Sequence, residues 1–193
     1  DDIMLSVVLL TYNHEKYIRT CLESIISQKT TFKFELIVGD DASTDQTAKV
    51  ILEYAALYPD IVIPVIRKKN IGAVANLVEL LKIASGKYIA GCEGDDYWTN
   101  SNKLEFQFRF LEEKEDYIAC SHDIEIVNED GTLADKQYLT WISPARDYSL
   151  KDYKGILLPG HPVALVFRNI FREEEDPGVL LDFHTLIADR SLA

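Results

Sequence analysis

Two acidic pairs have the residue types of chemistry rather than packing. Asp40 and Asp41 lie in VGDDAST, and Asp95 and Asp96 lie in CEGDDYW, the second pair preceded by Glu93. Each pair ends an apolar run, and buried strands seldom end in carboxylates for packing reasons. Adjacent carboxylates repel strongly in a partly desolvated site, so an uncompensated cluster must shift its pKa values or loosen the fold. A divalent cation removes the conflict. Oxygen-only ligands suit Mg²⁺ or Mn²⁺, which keep several waters and are shared with substrate phosphates. An acidic chain can hold an anionic diphosphate in this way without a basic pocket.

The elements that must position these residues are legible from periodicity. Short apolar runs at 4–10, 34–38, 61–66 and 88–92 read as strands covered on both faces. Between them lie three helical stripes: Ile18, Cys21, Leu22, Ile25 and Ile26; then Ala48, Ile51, Leu52 and Ala55; then Val74, Leu77, Val78, Leu81 and Ala84. Ser43, Thr44 or Asp45 is expected to cap the second helix, and Gly86 to stop the third. This alternation implies right-handed crossovers and an α/β fold, a doubly wound, mostly parallel sheet flanked by helices. In such sheets ligands gather beyond the carboxyl ends of the strands. TYNHE, GDDASTD, RKKNIGA and EGDDYW occupy those four places, so both acidic pairs should converge at one edge and share the cation.

The second half reads differently. Residues 102–113 look helical, and Ile118, Cys120, His122, Ile124 and Ile126 alternate as a half-buried strand turned by Asn128, Glu129, Asp130 and Gly131. Residues 162–168 form a further strand candidate, and Val179, Phe183, Leu186 and Ile187 suggest a last helix. Residues 133–154 read as loop with a short helix.

Composition narrows the partners. The chain has 193 residues, 47% of them hydrophobic, and a formal charge of -12. That is enough to bury a core as one domain. No basic run exceeds Arg67-Lys68-Lys69, read as solvated, so nucleic acid is a poor partner. Cys21, Cys92 and Cys120 lack ligand spacing and read as reduced, mostly buried thiols of a cytoplasmic protein. No window is long and apolar enough for a membrane span, and no signal peptide is evident. Neither the GxxxxGK[ST] nor the GxGxxG nucleotide fingerprint is present, and GDDAST fails the DxDxT pattern of aspartyl-phosphate hydrolases. His122 reads as a core histidine, and His14 and His184 as surface residues. His161 reads as structural or as a contact to diphosphate or acceptor, and Trp98 and Trp141 as core packing or a sugar platform.

SVVLLTYNHEKYIRTCLESIISQ, FELIVGDDASTDQT, NIGAVANL and SGKYIAGCEGDDYWTNSNKLEFQFRFLEE, in that order, resemble the successive motifs of family 2 inverting glycosyltransferases of bacterial polysaccharide or glycolipid type, which have the GT-A fold. The likeness covers residues 5–130, continues more weakly from PVALVFRN to ADRSL, and implies a single GT-A catalytic domain with residues 1–100 as the nucleotide-binding half and 101–193 as a smaller acceptor-side half. It implies transfer of a sugar from a UDP- or dTDP-sugar donor to a glycan or lipid-linked acceptor hydroxyl, with Mn²⁺ or Mg²⁺ and inversion. By position, Thr11, Tyr12, Asn13 and Glu15 would lie against base and ribose, and Asp40 and Asp41 would include the acceptor for the uracil N3 proton. Asn70, Gly72 and Asn76 match the third-loop segment, but Ala75 stands where many relatives place a base-contacting arginine. Asp95 would face ribose and metal, and Asp96 metal and diphosphate, while Glu93 replaces the usual first aspartate. Asp189 in ADRSL resembles the catalytic base on a late helix. A sugar-nucleotide pyrophosphorylase or a non-catalytic sugar-nucleotide module are the competing readings. Relatives usually continue past the base, so a truncated core of low activity is expected, at the inner membrane face through segments outside this chain.

Overall fold

The computed structural model describes residues 2–135, Asp147 and residues 161–172. The first half follows the expected alternation: β1 (Ile3–Thr11), α1 (Ile18–Ile26), β2 (Lys33–Asp40), α2 (Thr47–Leu57), β3 (Val62–Ile66), α3 (Ala73–Leu81) and β4 (Tyr88–Glu93). Then come α4 (Lys103–Glu113), β5 (Ala119–Cys120) and β6 (Val166–Arg168), with short 3-10 turns at Pro162–Ala164 and Ile170–Arg172. The sheet order is β3-β2-β1-β4-β6-β5. The first four strands run parallel, and β6 is antiparallel to both β4 and β5.

Successive strand residues face opposite layers, which is why these runs are apolar throughout rather than alternating. Leu5, Val7 and Leu9, with Leu36, Val38 and Ala90, face a core shared with Ile18, Leu22 and Ile25 of α1 and Ile51 of α2. Val8, Ile37 and Ile89 face the other layer, against Leu80 and Leu81 of α3. Pairing then aligns the strand ends that carry the chemistry. Thr11 lies opposite Asp40, Asp40 opposite Ile66, and Leu10 opposite Glu93. The strand order reverses direction between β1 and β4, the switch point where such sheets open a crevice.

Several elements depart from their sequence patterns. On α2 the buried face is Thr47, Val50, Ile51 and Tyr54, and Leu52 is exposed, because Tyr54 turns inward and donates its hydroxyl to Glu23 at 2.7 Å. Gln46 is the N-cap of α2, with no side-chain cap bond of its own; Asp45 instead accepts from the Thr47 N–H at 2.9 Å. The strand expected over 118–126 is only Ala119–Cys120, because its partner β6 pairs just two residues before the chain turns at Pro162. His122 is accordingly exposed and not a core histidine. The run at 162–168 begins as a 3-10 turn, as suits a proline with its fixed φ and missing N–H, and becomes a strand at Val166. Val127 and Leu133 bridge across the expected turn, where Gly131 has φ +80°. The last helix proposed around Val179 to Ile187 lies outside the described residues, as do Trp141, His184 and Asp189.

The α3 helix ends at Leu81, so Gly86 is not its stop. Gly86 serves close approach instead: a Cβ there would sit 2.5 Å from the Ser6 nitrogen and 2.6 Å from the Leu5 carbonyl carbon. Its own N–H donates to Ser6 Oγ at 2.8 Å, and Ser6 Oγ donates to the buried Glu35 at 2.6 Å. Backbone atoms cannot move aside as a flexible side chain can. Gly86→Ala should therefore lower stability by about 2–3 kcal/mol, read as a fall in the denaturation midpoint at unchanged slope.

Candidate functional site

The loops after β1 and β2 are stapled to each other. Asn13 donates its N–H to Ser43 Oγ at 2.9 Å, and its Oδ1 accepts from the Thr44 N–H at 2.8 Å. The Glu15 N–H donates to Asp45 at 3.1 Å, and the Glu15 carboxylate accepts from the Gln46 N–H at 2.9 Å. The His14 N–H donates to Thr47 Oγ1 at 2.9 Å. The side chains of Asn13 and Glu15 thus hold the two loops together. Tyr12 stands exposed beside them, and Thr11 is buried.

Asp40 and Asp41 are both buried and both hydrogen-bonded. Asp40 accepts from the Ser43 N–H at 3.0 Å and from the Ser43 hydroxyl. Asp41 accepts from the N–H groups of Ile71 and Gly72, each at 2.8 Å, and so clamps the third loop. Asn70 is exposed and accepts from the Gly72 N–H at 3.1 Å. Gly72 has φ +87°, and a Cβ added there would meet nothing within 4 Å, so its freedom is needed for the turn and not for space.

Asn76 is buried and acts as a clip. It donates to the Gly39 carbonyl at 2.9 Å and accepts from Arg67 Nε at 2.8 Å. Arg67 is therefore not part of a solvated charge run: its guanidinium is folded over Asn76, its N–H donates to the Asp40 carbonyl at 3.0 Å, and its Nη2 is buried without a partner.

The second acidic group is different. Carboxylate oxygens of Glu93, Asp95 and Asp96 lie within 4.8 Å of one another, and Glu93 and Asp96 are partly buried. Burial pushes the Glu93 carboxyl up to about 7, with Asp96 and Asp95 adding repulsion. Burial also raises Asp96, with Asp95 adding to it, while His161 and His14 act in the opposite sense. Among the described residues no lysine or arginine acts on either group. The expectation that both acidic pairs share one cation is not met among these residues. The two pairs reach the same sheet edge, but the cluster draws only on EGDD, and Asp40 and Asp41 are engaged by N–H and hydroxyl donors. Three crowded carboxyl groups that no lysine or arginine among the described residues compensates fit a hard divalent cation, and Asp95, Asp96 and Glu93 are the residues able to hold one.

Two histidines flank this cluster. His14, read from sequence as a surface residue, places Nδ1 3.8 Å from Asp95 Oδ1. His161 begins the turn at Pro162–Ala164, its Nδ1 accepting from the Val163 N–H, and Gly91 allows that turn onto β4: a Cβ at Gly91 would meet the Pro162 oxygen at 2.9 Å. The sequence signal for these contacts is the glycine beside each, Gly91 and Gly94, rather than the histidines themselves. Trp98 belongs to the core, donating Nε1–H to the Val163 carbonyl at 3.0 Å with the Lys103 ammonium 4.2 Å from its ring centre. Cys21, Cys92 and Cys120 are free thiols, the first two buried with sulfurs 3.7 Å apart. No helix among the described residues is long and apolar enough to cross a membrane.

Comparison with known proteins gives one consistent answer. The family described as Glycosyl transferase family 2 matches residues 6–174. An uncharacterized protein of Mycobacterium tuberculosis (strain ATCC 25618 / H37Rv) is 45% identical over 127 residues, covering 66% of this chain and 37% of the relative. TuaG of Bacillus subtilis (strain 168), a teichuronic acid biosynthesis glycosyltransferase by name, is 31% identical over 136 residues, covering 69% of this chain and 51% of its own length. This chain thus spans about half or less of the curated relatives it matches here. Among solved structures, S. aureus TarS 1-349 in complex with UDP superposes with a TM-score of 0.62 at 24% identity over 94% of this chain and 49% of that one, a likeness of fold. The same protein in complex with UDP-GlcNAc is 31% identical over 58% of this chain and 32% of that one, with a TM-score of 0.52. Mannosyltransferase PcManGT from Pyrobaculum calidifontis, in complex with GDP-Man and Mn²⁺, is 25% identical over 64% of this chain and 36% of that one, with a TM-score of 0.57. Ordered motifs, sheet order and family match agree: this chain belongs to glycosyltransferase family 2 and has the GT-A fold.

Proposed function

We propose that this chain transfers a sugar from a UDP- or dTDP-sugar to an acceptor hydroxyl, with inversion, in the assembly of a cell-surface polysaccharide or glycolipid. The observation that carries the proposal is the Glu93, Asp95 and Asp96 cluster at the β1/β4 switch point, which no lysine or arginine among the described residues compensates. The nucleotide complexes of TarS and the GDP-Man and Mn²⁺ complex of PcManGT support a nucleotide-sugar donor and a divalent cation, Mn²⁺ or Mg²⁺. When bound, such a cation neutralises charge on the departing diphosphate as a Lewis acid.

Asp95 and Asp96 would hold the cation, with Glu93 beside them and Asp95 also facing the ribose. The nucleoside would enter over the stapled loops. Tyr12, Asn13, Glu15, Asn70 and Gly72 stand exposed there to touch base or ribose, while the buried Thr11, Asp41 and Asn76 shape the floor. Asp40 is fully buried and both its oxygens accept from Ser43, so to meet a uracil or thymine N3–H, which requires an acceptor, it would have to exchange the Ser43 hydroxyl for the base. Asp189 would take the proton of the attacking hydroxyl, whose own pKa is far above neutrality. One base and in-line attack give inversion. Peripheral attachment at the inner face of the plasma membrane, through segments outside this chain, belongs to the same proposal.

Titration calorimetry of UDP with and without Mn²⁺ tests the reading directly. Manganese should tighten UDP binding, and Asp96→Asn should remove at least about tenfold of that gain, roughly 1.4 kcal/mol. No effect of manganese on the unsubstituted chain would end the assignment. Asp189→Asn should leave this binding unchanged yet cut transfer or donor hydrolysis by about 10²–10⁴-fold; an unaffected rate would remove Asp189 from the mechanism.

The cluster also predicts a pH dependence without metal. Glu93 titrates near 4.5 in an unfolded chain and about 7 in the fold, so folding takes up a proton between those values. Stability is then lost as pH rises from the lower value through the upper, and the loss persists above it. Glu93→Gln should raise the melting temperature of the metal-free protein by several degrees at about pH 8 and hardly change it near pH 4.5. Added Mn²⁺ should stabilise the unsubstituted chain more than the variant.

A further inference from the structure

His14 makes a contact that the nucleotide-sugar reading does not use. Its main chain is fixed at both ends: the N–H donates to Thr47 Oγ1, and the carbonyl accepts from the N–H groups of Tyr17 and Ile18 at the start of α1. The ring is therefore carried by a rigid support. It packs over Gly94, where a Cβ would come within 2.7 Å of His14 Nδ1 and 2.5 Å of Thr11 Oγ1. Both of those atoms are buried, and neither has a hydrogen-bond partner.

A buried polar atom without a partner is costly, so the arrangement calls for an explanation. A carboxylate oxygen lies nearby, Asp95 Oδ1, 3.8 Å from Nδ1. That separation is too long for a hydrogen bond. Yet the Asp95 side chain is 48% exposed, with room to turn, whereas that of His14 is only 25% exposed and backs onto Gly94. A bare Nδ1 lone pair facing a carboxylate would be repulsive, so the proton belongs on Nδ1, where it can be donated to Asp95.

We infer that His14 is a positioning residue for Asp95: its Nδ1–H captures one Asp95 oxygen and leaves the other aimed at the cation between Asp95 and Asp96. Gly94 is the residue that makes the capture possible, since any side chain there would push the ring away. Histidine and carboxylate partners that orient ligands in this way typically contribute 10–100-fold to metal affinity. The inference rests on the proposed cation site, and the experiment separates the two.

Mn²⁺ binding to the protein with saturating UDP is measured by calorimetry for the unsubstituted chain and for His14→Ala, His14→Asn and His14→Gln, alongside the metal-free melting temperature of each. The Asn amide nitrogen sits near the place of Nδ1, and the Gln amide nitrogen near that of Nε2. Alanine should weaken manganese binding by about tenfold or more, asparagine should restore most of it, and glutamine should resemble alanine. Unchanged manganese affinity in His14→Ala would overturn the inference while leaving the cation site intact. Rescue by glutamine equal to or better than rescue by asparagine would overturn it too, as would failure of asparagine to rescue at a near-native melting temperature. Absence of manganese binding in the unsubstituted chain would remove the cation site and this inference together.

Discussion

Like-charge repulsion among Glu93, Asp95 and Asp96 is the tension around which the rest of the structure is arranged. In an open loop three such groups would splay apart into water. Here the backbone that carries them is held, because β4 pairs with β1 as far as Glu93, while β6 covers its other side from Tyr88 to Ala90. The Gly94 N–H also donates to the Leu10 carbonyl, extending the pairing one residue beyond the strand, and the Asp96 N–H turns back onto the Glu93 carbonyl. With the backbone held, the remaining routes to relief are a proton on the most buried carboxyl or a cation among the three. Glu93 favours the first route in the metal-free protein, since burial foremost and then the Asp96 and Asp95 charges push its carboxyl up to about 7.

The other acidic pair shows how differently the same residue type behaves once donors are supplied. Asp41 takes two backbone N–H groups of the third loop, and Asp40 takes the N–H and hydroxyl of Ser43. Their charge is satisfied locally, and they serve as struts. Asn13, Glu15 and Asp45 extend this bracing across the first two loops. The result is a braced platform on one side of the crevice and an unsatisfied charge on the other. Pre-organisation of that kind places a ligand without a large ordering cost on binding.

Sequence periodicity located the seven elements through β4 because all but the edge strand β3 are buried on a wide face, which is the condition under which periodicity reports structure. It failed at β5, where Ile118, Cys120 and Ile124 alternate but the partner strand is too short to pair them, and alternation says nothing about partner length. It misassigned Gly86 because a glycine required by close approach to Leu5 and Ser6 looks the same in sequence as one ending a helix. The acidic motifs were legible, and so was the family they resemble. The division of labour between the two pairs was not, since it depends on which carboxylate meets an N–H in three dimensions. His14 and Arg67 were missed, and His161 was left between two readings, for a related reason: each owes its place to a tertiary contact, at Gly94, Asn76 and Gly91 respectively.

The strain in the loops points to where movement is and is not available. Asn13 and Ala42 both adopt left-handed backbone, φ +57° and +63°. Asparagine tolerates this region, whereas alanine gives up about 1–2 kcal/mol there. Such a residue persists only where its surroundings over-determine it. Ala42 lies between Asp41, locked to the third loop, and Ser43, locked to Asp40 and Asn13. Relaxing it would break several of these bonds together, so the first two loops have little freedom to respond to a ligand. The response falls to groups outside that lattice of bonds: the half-exposed Asp95 side chain, the open space around Gly72, and the exposed ring of Tyr12.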